Sequence, residues 1–171
     1  MNLKPLVGAL ALAAACGAQA ATYDFGTHDP VEVGAGLVSP GAFADIYTFT
    51  LNTTQLVSSS VSAVNFGSAL NIFAGVYSLY SSGADNVVGT GDDSIVGSPW
   101  AFNGSSGSVI HSLSLSAGSY YYVATGIANG AGGGVYTLTS TTVPVPEPET
   151  YALLLGGLGV VGFLARRRRV D

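Results

Sequence analysis

Residues 108–126 read SVIHSLSLSAGSYYYVATG, and the period of this stretch decides the fold. Val109, His111, Leu113 and Leu115 alternate with Ile110, Ser112 and Ser114. A repeat of two sends successive side chains to opposite faces of a strand, whereas a helix needs apolar residues three and four apart. Ala117-Gly118 then marks a turn, and residues 119–127 resume with Tyr120-Tyr121-Tyr122-Val123. Aromatic and β-branched residues of this kind suit a pleated, half-buried surface. Strand parity predicts that alternate tyrosines of the run face outward.

The same period recurs on both sides. Residues 43–51 set Phe43, Asp45, Tyr47, Phe49 and Leu51 on one face, and residues 56–64 alternate apolar positions with serine. Residues 70–80 are apolar on both faces and suit a strand buried between layers. Beyond a glycine-rich loop at 129–134, residues 135–141 close the set, and weaker strands are expected at 23–25 and 31–37. Six to eight short strands separated by Gly, Asn and Ser predict an all-β fold, an antiparallel β-sandwich or jelly roll.

Charge narrows the chemistry. The five basic residues are Lys4 and Arg166–Arg169, all near the chain ends. Residues 22–145 hold Asp24, Asp29, Glu32, Asp45, Asp85, Asp92 and Asp93 and neither Lys nor Arg. Nucleic acid is excluded as a partner, because phosphate contacts need cations. An anionic membrane surface is disfavoured for the same reason, which leaves neutral glycans, divalent cations or a basic partner.

Both ends read as targeting segments. Lys4 precedes an apolar stretch at residues 6–15, and Ala18-Gln19-Ala20 has the small-x-small form of a signal-peptidase site. Residues 1–21 are therefore expected to be a signal peptide, cut after Ala20 or Ala21. The competing reading makes Cys16 a lipidated terminus, but Ala13 stands where lipoprotein signals place Leu or Val. With Cys16 removed, the mature chain has no thiol and needs no disulfide. At the other end, Pro146-Glu147-Pro148 is expected to stay extended and exposed, outside any helix or sheet ladder, because proline fixes φ and lacks an N–H. An uncharged run at 151–165 follows, and Arg166, Arg167, Arg168 and Arg169 then act as a stop-transfer cluster. At ~1.5 Å per residue the run spans about 22 Å against a hydrocarbon core of ~30 Å, so including Glu149 and Thr150 and letting the arginines snorkel predicts a thin single transmembrane helix. The resulting partition is 1–21 signal peptide, 22–143 β-sandwich ectodomain and 144–171 sorting segment.

The order Pro-Glu-Pro, glycine-containing apolar run, arginine cluster resembles the PEP-CTERM sorting signal of Gram-negative bacteria that make exopolysaccharide. The resemblance implies an exosortase as partner, an integral membrane enzyme that cuts near Pro146-Glu147-Pro148. It further implies passage by signal peptidase, a transient inner-membrane anchor, and a final place at the cell surface or in the extracellular matrix. Two further likenesses concern the ectodomain. SVIHSLSLSAGSYYYVATG with GGVYTLTST (residues 133–141) resembles the ending of bacterial pre-peptidase C-terminal sandwiches, which are non-catalytic. Phe43-Ala44-Asp45-Ile46-Tyr47 resembles the FxDxF subgroup of PEP-CTERM proteins, with Tyr47 in place of the last Phe.

Candidate sites in the ectodomain are few. Asp45 shares a face with Phe43 and Tyr47, so it must accept hydrogen bonds or hold a cation or ligand. Asp85, Asn86, Asp92 and Asp93 lie among glycines at 83–97, which supplies the oxygen ligands calcium prefers, without the spacing of an EF-hand. A solvated turn is the simpler expectation there, and no cofactor is required. His28 and His111 are too few for a metal cage, and His111 is expected at the core or an edge. GSSGS at 104–108 lacks the strand-to-helix context of a nucleophile elbow, and no acid pair suggests a glycosidase. Trp100 follows Pro99 and is expected in a loop, open to a ligand. The reading is a non-enzymatic surface or matrix protein associated with exopolysaccharide or biofilm. A calcium-stabilised carbohydrate-binding module is the first alternative, and a cryptic hydrolase the second.

Overall fold

The structure, a computed structural model, describes residues 19–105, 107–145 and 148–167. Ala18 and the rest of the expected signal peptide before Gln19, Pro146, Glu147, Arg168 and Arg169 lie outside the described residues. The elements are β1 (Thr22–Thr27), β2 (Val31–Val38), β3 (Gly41–Leu51), β4 (Gln55–Ala63), β5 (Ile72–Ser81), β6 (Ser94–Phe102), β7 (His111–Leu115), β8 (Gly118–Ala128), β9 (Gly134–Pro144) and helix α1 (Pro148–Arg167).

These strands form two sheets, a sandwich as the alternation requires. One has the order β1-β3-β8-β5-β6 and the other β2-β9-β4-β7. Every pairing is antiparallel except β1 with β3, which run parallel with Thr22 opposite Ile46 and Tyr23 opposite Tyr47. Along β3 the odd residues Phe43 to Leu51 are all buried. The Ala117-Gly118 turn does not make a hairpin, since β7 pairs with β4 while β8 pairs with β3 and β5. It carries the chain from one sheet to the other.

Tyrosine fills the space between the sheets. Tyr47, Tyr77, Tyr122 and Tyr136 are fully buried together with Phe49, Leu79 and Leu138. A buried phenol must hydrogen-bond, and here the bonds cross the layer. Tyr77 donates to the Ser59 carbonyl at 3.2 Å, Tyr122 meets Ser140 Oγ at 3.0 Å, and Tyr47 meets the Tyr136 hydroxyl at 2.9 Å. Burial pushes the Tyr47 and Tyr77 phenols up to about 12. Room for two rings comes from β2: a Cβ on Gly34 would lie 2.3 Å from Tyr47 Cε1, and one on Gly36 2.0 Å from Tyr136 Cε1.

Three expectations need correction. Residues 94–102 form a strand, β6, where a loop was expected around Trp100. Tyr121 does not face solvent: it is 5% exposed, stacked on Tyr80 beneath the acidic loop. Helix α1 forms where the anchor was expected, but among the described residues no helix is long and apolar enough to cross a membrane. Glu149, Thr150 and four glycines dilute its apolar run, which falls short of the ~30 Å hydrocarbon thickness.

Candidate functional site

The face that carries Asp45 is sealed. Its carboxylate is 3% exposed, with Tyr136 donating to Oδ2 at 2.6 Å and the Ala21 amide donating to Oδ1 at 3.0 Å. With its proton committed to Asp45, the Tyr136 hydroxyl accepts from Tyr47. Burial and the neighbouring carboxylate together push the Tyr136 phenol well above its usual range. No buried side-chain oxygen or nitrogen among the described residues lacks a hydrogen-bond partner. The acid thus accepts a backbone N–H, one of the two roles its position allowed, and it presents no surface to a ligand.

The acidic loop gathers Asp85, Asp92 and Asp93, with one carboxylate oxygen of each within 4.8 Å of the others. Those oxygens hold the loop closed. Asp92 Oδ2 accepts the Ala84 amide at 2.7 Å, and Asp93 Oδ2 accepts the Gly89 amide at 2.6 Å and the Tyr121 hydroxyl at 2.6 Å. The Thr90 hydroxyl and the Ala84 amide hold the Asp92 carboxyl below its ordinary value, and the Tyr121 hydroxyl does the same for Asp93. In turn, burial and the adjacent carboxylate raise the Tyr121 phenol to about 12.

Trp100 is half-buried in β6, opposite Tyr77. Its ring stacks on His111 at 4.7 Å and 17° and tilts against Tyr77 at 5.1 Å. His111 lies half-buried on the edge strand β7. A Ser–His contact not singled out in the sequence joins His28 Nε2 to Ser140 Oγ at 2.7 Å. Ser140 is 0% exposed and His28 6%, so no substrate reaches that hydroxyl. The other ring nitrogen, Nδ1, meets a main-chain oxygen, that of Asp29, where a triad would place an orienting carboxylate.

An open groove of about 410 Å³ lies elsewhere, at the ends of β5 and β6, with Gly104 and Ser105 of the GSSGS stretch in its lining. Asn65, Asn71, Asn103 and Ser105 line it beside Phe73, which is 62% exposed. A bulge aims that ring outward. Phe73 pairs with Ile127 and Val76 with Thr125, so Ala74 and Gly75 together face Gly126. Ala74 takes φ 51°, a left-handed conformation rare for a residue with a Cβ. The polar lining is itself ordered, with Asn71 donating to Asn129 Oδ1 at 2.8 Å and Asn65 to Ser105 Oγ at 3.2 Å. The groove offers neutral amides and a hydroxyl beside an aromatic face, and among the described residues no charged group lines it. Such a surface suits a neutral, hydroxyl-rich ligand better than an ionic one.

Comparison with known proteins gives one firm result, at the tail. No curated protein is similar to the chain. Among solved structures, the pre-peptidase C-terminal domain of a Bacillus anthracis collagenase is 16% identical at a TM-score of 0.40, over 70% of this chain and 94% of that one. The Aeromonas hydrophila PliG protein, a periplasmic inhibitor of g-type lysozyme, is 15% identical at 0.41, over 74% and 99%. A C-terminal CBM6 module of a Zobellia galactanivorans enzyme, LamC, is 14% identical at 0.31, over 66% and 89%. These likenesses are remote, and nothing about this chain's activity rests on them. Residues 144–169, by contrast, match the family model of the PEP-CTERM protein-sorting motif. The chain therefore carries a PEP-CTERM sorting motif behind a β-sandwich.

Proposed function

We propose that this is an exported, non-enzymatic protein that an exosortase processes at its C-terminal tail and leaves at the cell surface. The match of residues 144–169 to the sorting motif carries the reading. Each part of that segment has a physical role in it. Pro146-Glu147-Pro148 is the sequence at which the enzyme cuts, with Pro148 opening α1 rather than lying outside any helix, and the apolar α1 with Arg166–Arg169 is the anchor segment that the cut removes. The anionic, cysteine-free sandwich is the displayed part, in contact with exopolysaccharide or matrix. Deleting the host's exosortase tests this. The wild-type host should yield a surface form lacking the arginine cluster, and the deletion strain a membrane-bound form that keeps it. Equal processing in both strains would refute the reading.

A second reading concerns what the displayed domain touches. The Phe73 groove supports contact with a neutral glycan, since an exposed ring lies among amide side chains. It takes the place of Trp100 as the favoured aromatic, because Trp100 spends its ring on His111 and Tyr77. Titration with neutral exopolysaccharide should show saturable binding that Phe73→Ala weakens about tenfold, near 1.4 kcal/mol. Binding unchanged in Phe73→Ala would remove the groove from consideration.

A further inference from the structure

Asp45 has an unusual problem. It is a buried carboxylate in a domain whose residues 22–145 contain neither Lys nor Arg. Taking an unpaired carboxylate out of water is expensive, and neutral donors offset only part of the cost. In the uncut chain its partners are both neutral, the Tyr136 hydroxyl and the Ala21 amide.

That amide belongs to the peptide bond between Ala20 and Ala21, which follows the small-x-small sequence Ala18-Gln19-Ala20. Hydrolysis there breaks the C–N bond, and water supplies a hydroxyl to the Ala20 carbonyl carbon and a hydrogen to the Ala21 nitrogen. Ala20 leaves as a carboxylate. Ala21 keeps a primary amine, which takes up a proton at neutral pH, since an α-amino group has an ordinary pKa of about 7.7–8.0.

We infer that signal-peptide removal after Ala20 turns the Ala21–Asp45 contact into a buried ion pair, so that the new N-terminus supplies the cation Asp45 otherwise lacks. The inference rests on the export reading above. Geometry favours it. The Ala21 carbonyl accepts the Ile46 amide at 2.8 Å, and β1 continues the parallel pairing through Thr22 and Tyr23, so Ala21 stays in register once Ala20 is gone. Among the described residues, the bonds that leave with the leader are those of Gln19: to the Ala42 carbonyl at 3.0 Å, the Ala44 amide at 2.8 Å and the Ser39 amide at 3.1 Å. Cutting one residue later, after Ala21, would instead remove the nitrogen itself.

The sign of the pH effect follows. An ammonium held by a carboxylate has its folded pKa raised above the unfolded ~7.7–8.0, so the pair stabilises below that value and is lost as pH rises through the folded one. The groups facing it are Asp45 and Tyr47 from β3, Tyr136 from β9 and Tyr23 from β1. Burial keeps the Tyr47 and Tyr136 phenols neutral through this range.

The chain supplies its own probe. Lys4 is its only lysine, so once the leader is removed the Ala21 amine is the only primary amine left. The full-length gene should be expressed with export, the product's N-terminal residue found by mass spectrometry, and its amine acylated at pH 8. A chain beginning at Ala21 whose amine reacts at least about fivefold more slowly folded than unfolded, the effect of one pKa unit at that pH, supports the pair. Asp45→Asn should abolish that protection. Should Asp45→Asn fail to fold, the wild-type rate against pH decides, with a midpoint above ~8 supporting the pair and one at or below it overturning it. An Ala21 terminus reacting as fast as in the unfolded chain overturns the pair and leaves the export reading intact. A terminus at Thr22 also overturns the pair alone, whereas an uncut leader overturns both.

Discussion

At the scale of single residues, the interior is set by where tyrosine rings find room and their hydroxyls find partners. Gly36 is the sharpest case, because a methyl group there would sit 2.0 Å from a ring carbon of Tyr136. Gly36→Ala should destabilise the domain by about 1–3 kcal/mol through overpacking, read as a lower denaturant midpoint. An unchanged midpoint would mean that β2 shifts aside freely. The role of Asp45 was half legible in the sequence. Alternation put it on the aromatic face and demanded a partner, but its partners lie 24 and 91 residues away. Contacts at such separations follow from strand order, which one sequence does not disclose. His28 and Ser140, 112 residues apart, escaped notice for the same reason.

At the scale of elements, alternation, the apolar run at 70–80 and two weaker segments together marked eight of the nine strands, and β6 shows why one was missed. SIVGSPWAF contains Gly97 and Pro99, both strand breakers by composition. The structure accommodates them in an irregular stretch of an edge strand: Tyr77 pairs with Trp100 and Leu79 with Val96, so Gly97, Ser98 and Pro99 together face Ser78. Gly97 takes φ 86° there. Placing Trp100 in a strand rather than a loop moves the favoured ligand-facing aromatic to Phe73, whose exposure depends on a bulge with no sequence signature. The acidic loop is the other element with a testable role. Because the Asp92 and Asp93 pKa values are depressed in the folded state, their contribution is present above the ordinary 3.8 and is lost as pH falls through the lower folded values. Amide-exchange protection at Ala84 and Gly89 should therefore fall in acid while β3 and β8 stay protected, and Asp92→Asn should reproduce the loss for Ala84 at neutral pH. Since loop donors already engage these carboxylates, adding calcium or a chelator should leave that protection unchanged. A calcium-dependent rise would return the loop to the class of cation sites.

At the scale of the whole molecule, the chain divides its labour by charge. All the Lys and Arg residues lie in the terminal segments and seven of the ten acidic residues lie in residues 22–145, so removal of both ends leaves a domain with neither Lys nor Arg. The C-terminal sorting segment was legible because its signals are local: a proline pair, a short apolar run, an arginine cluster. What the sandwich touches was not legible, since surface grooves assemble from distant loops, as the one lined by Asn65, Phe73 and Asn103 does here. The most direct measurement of exosortase processing at the tail is the intact mass of the protein recovered from the surface of an exosortase-bearing host. Exosortase processing should leave a chain that ends near Pro146-Glu147-Pro148, without Arg166–Arg169; a surface form still ending at Asp171 would contradict it.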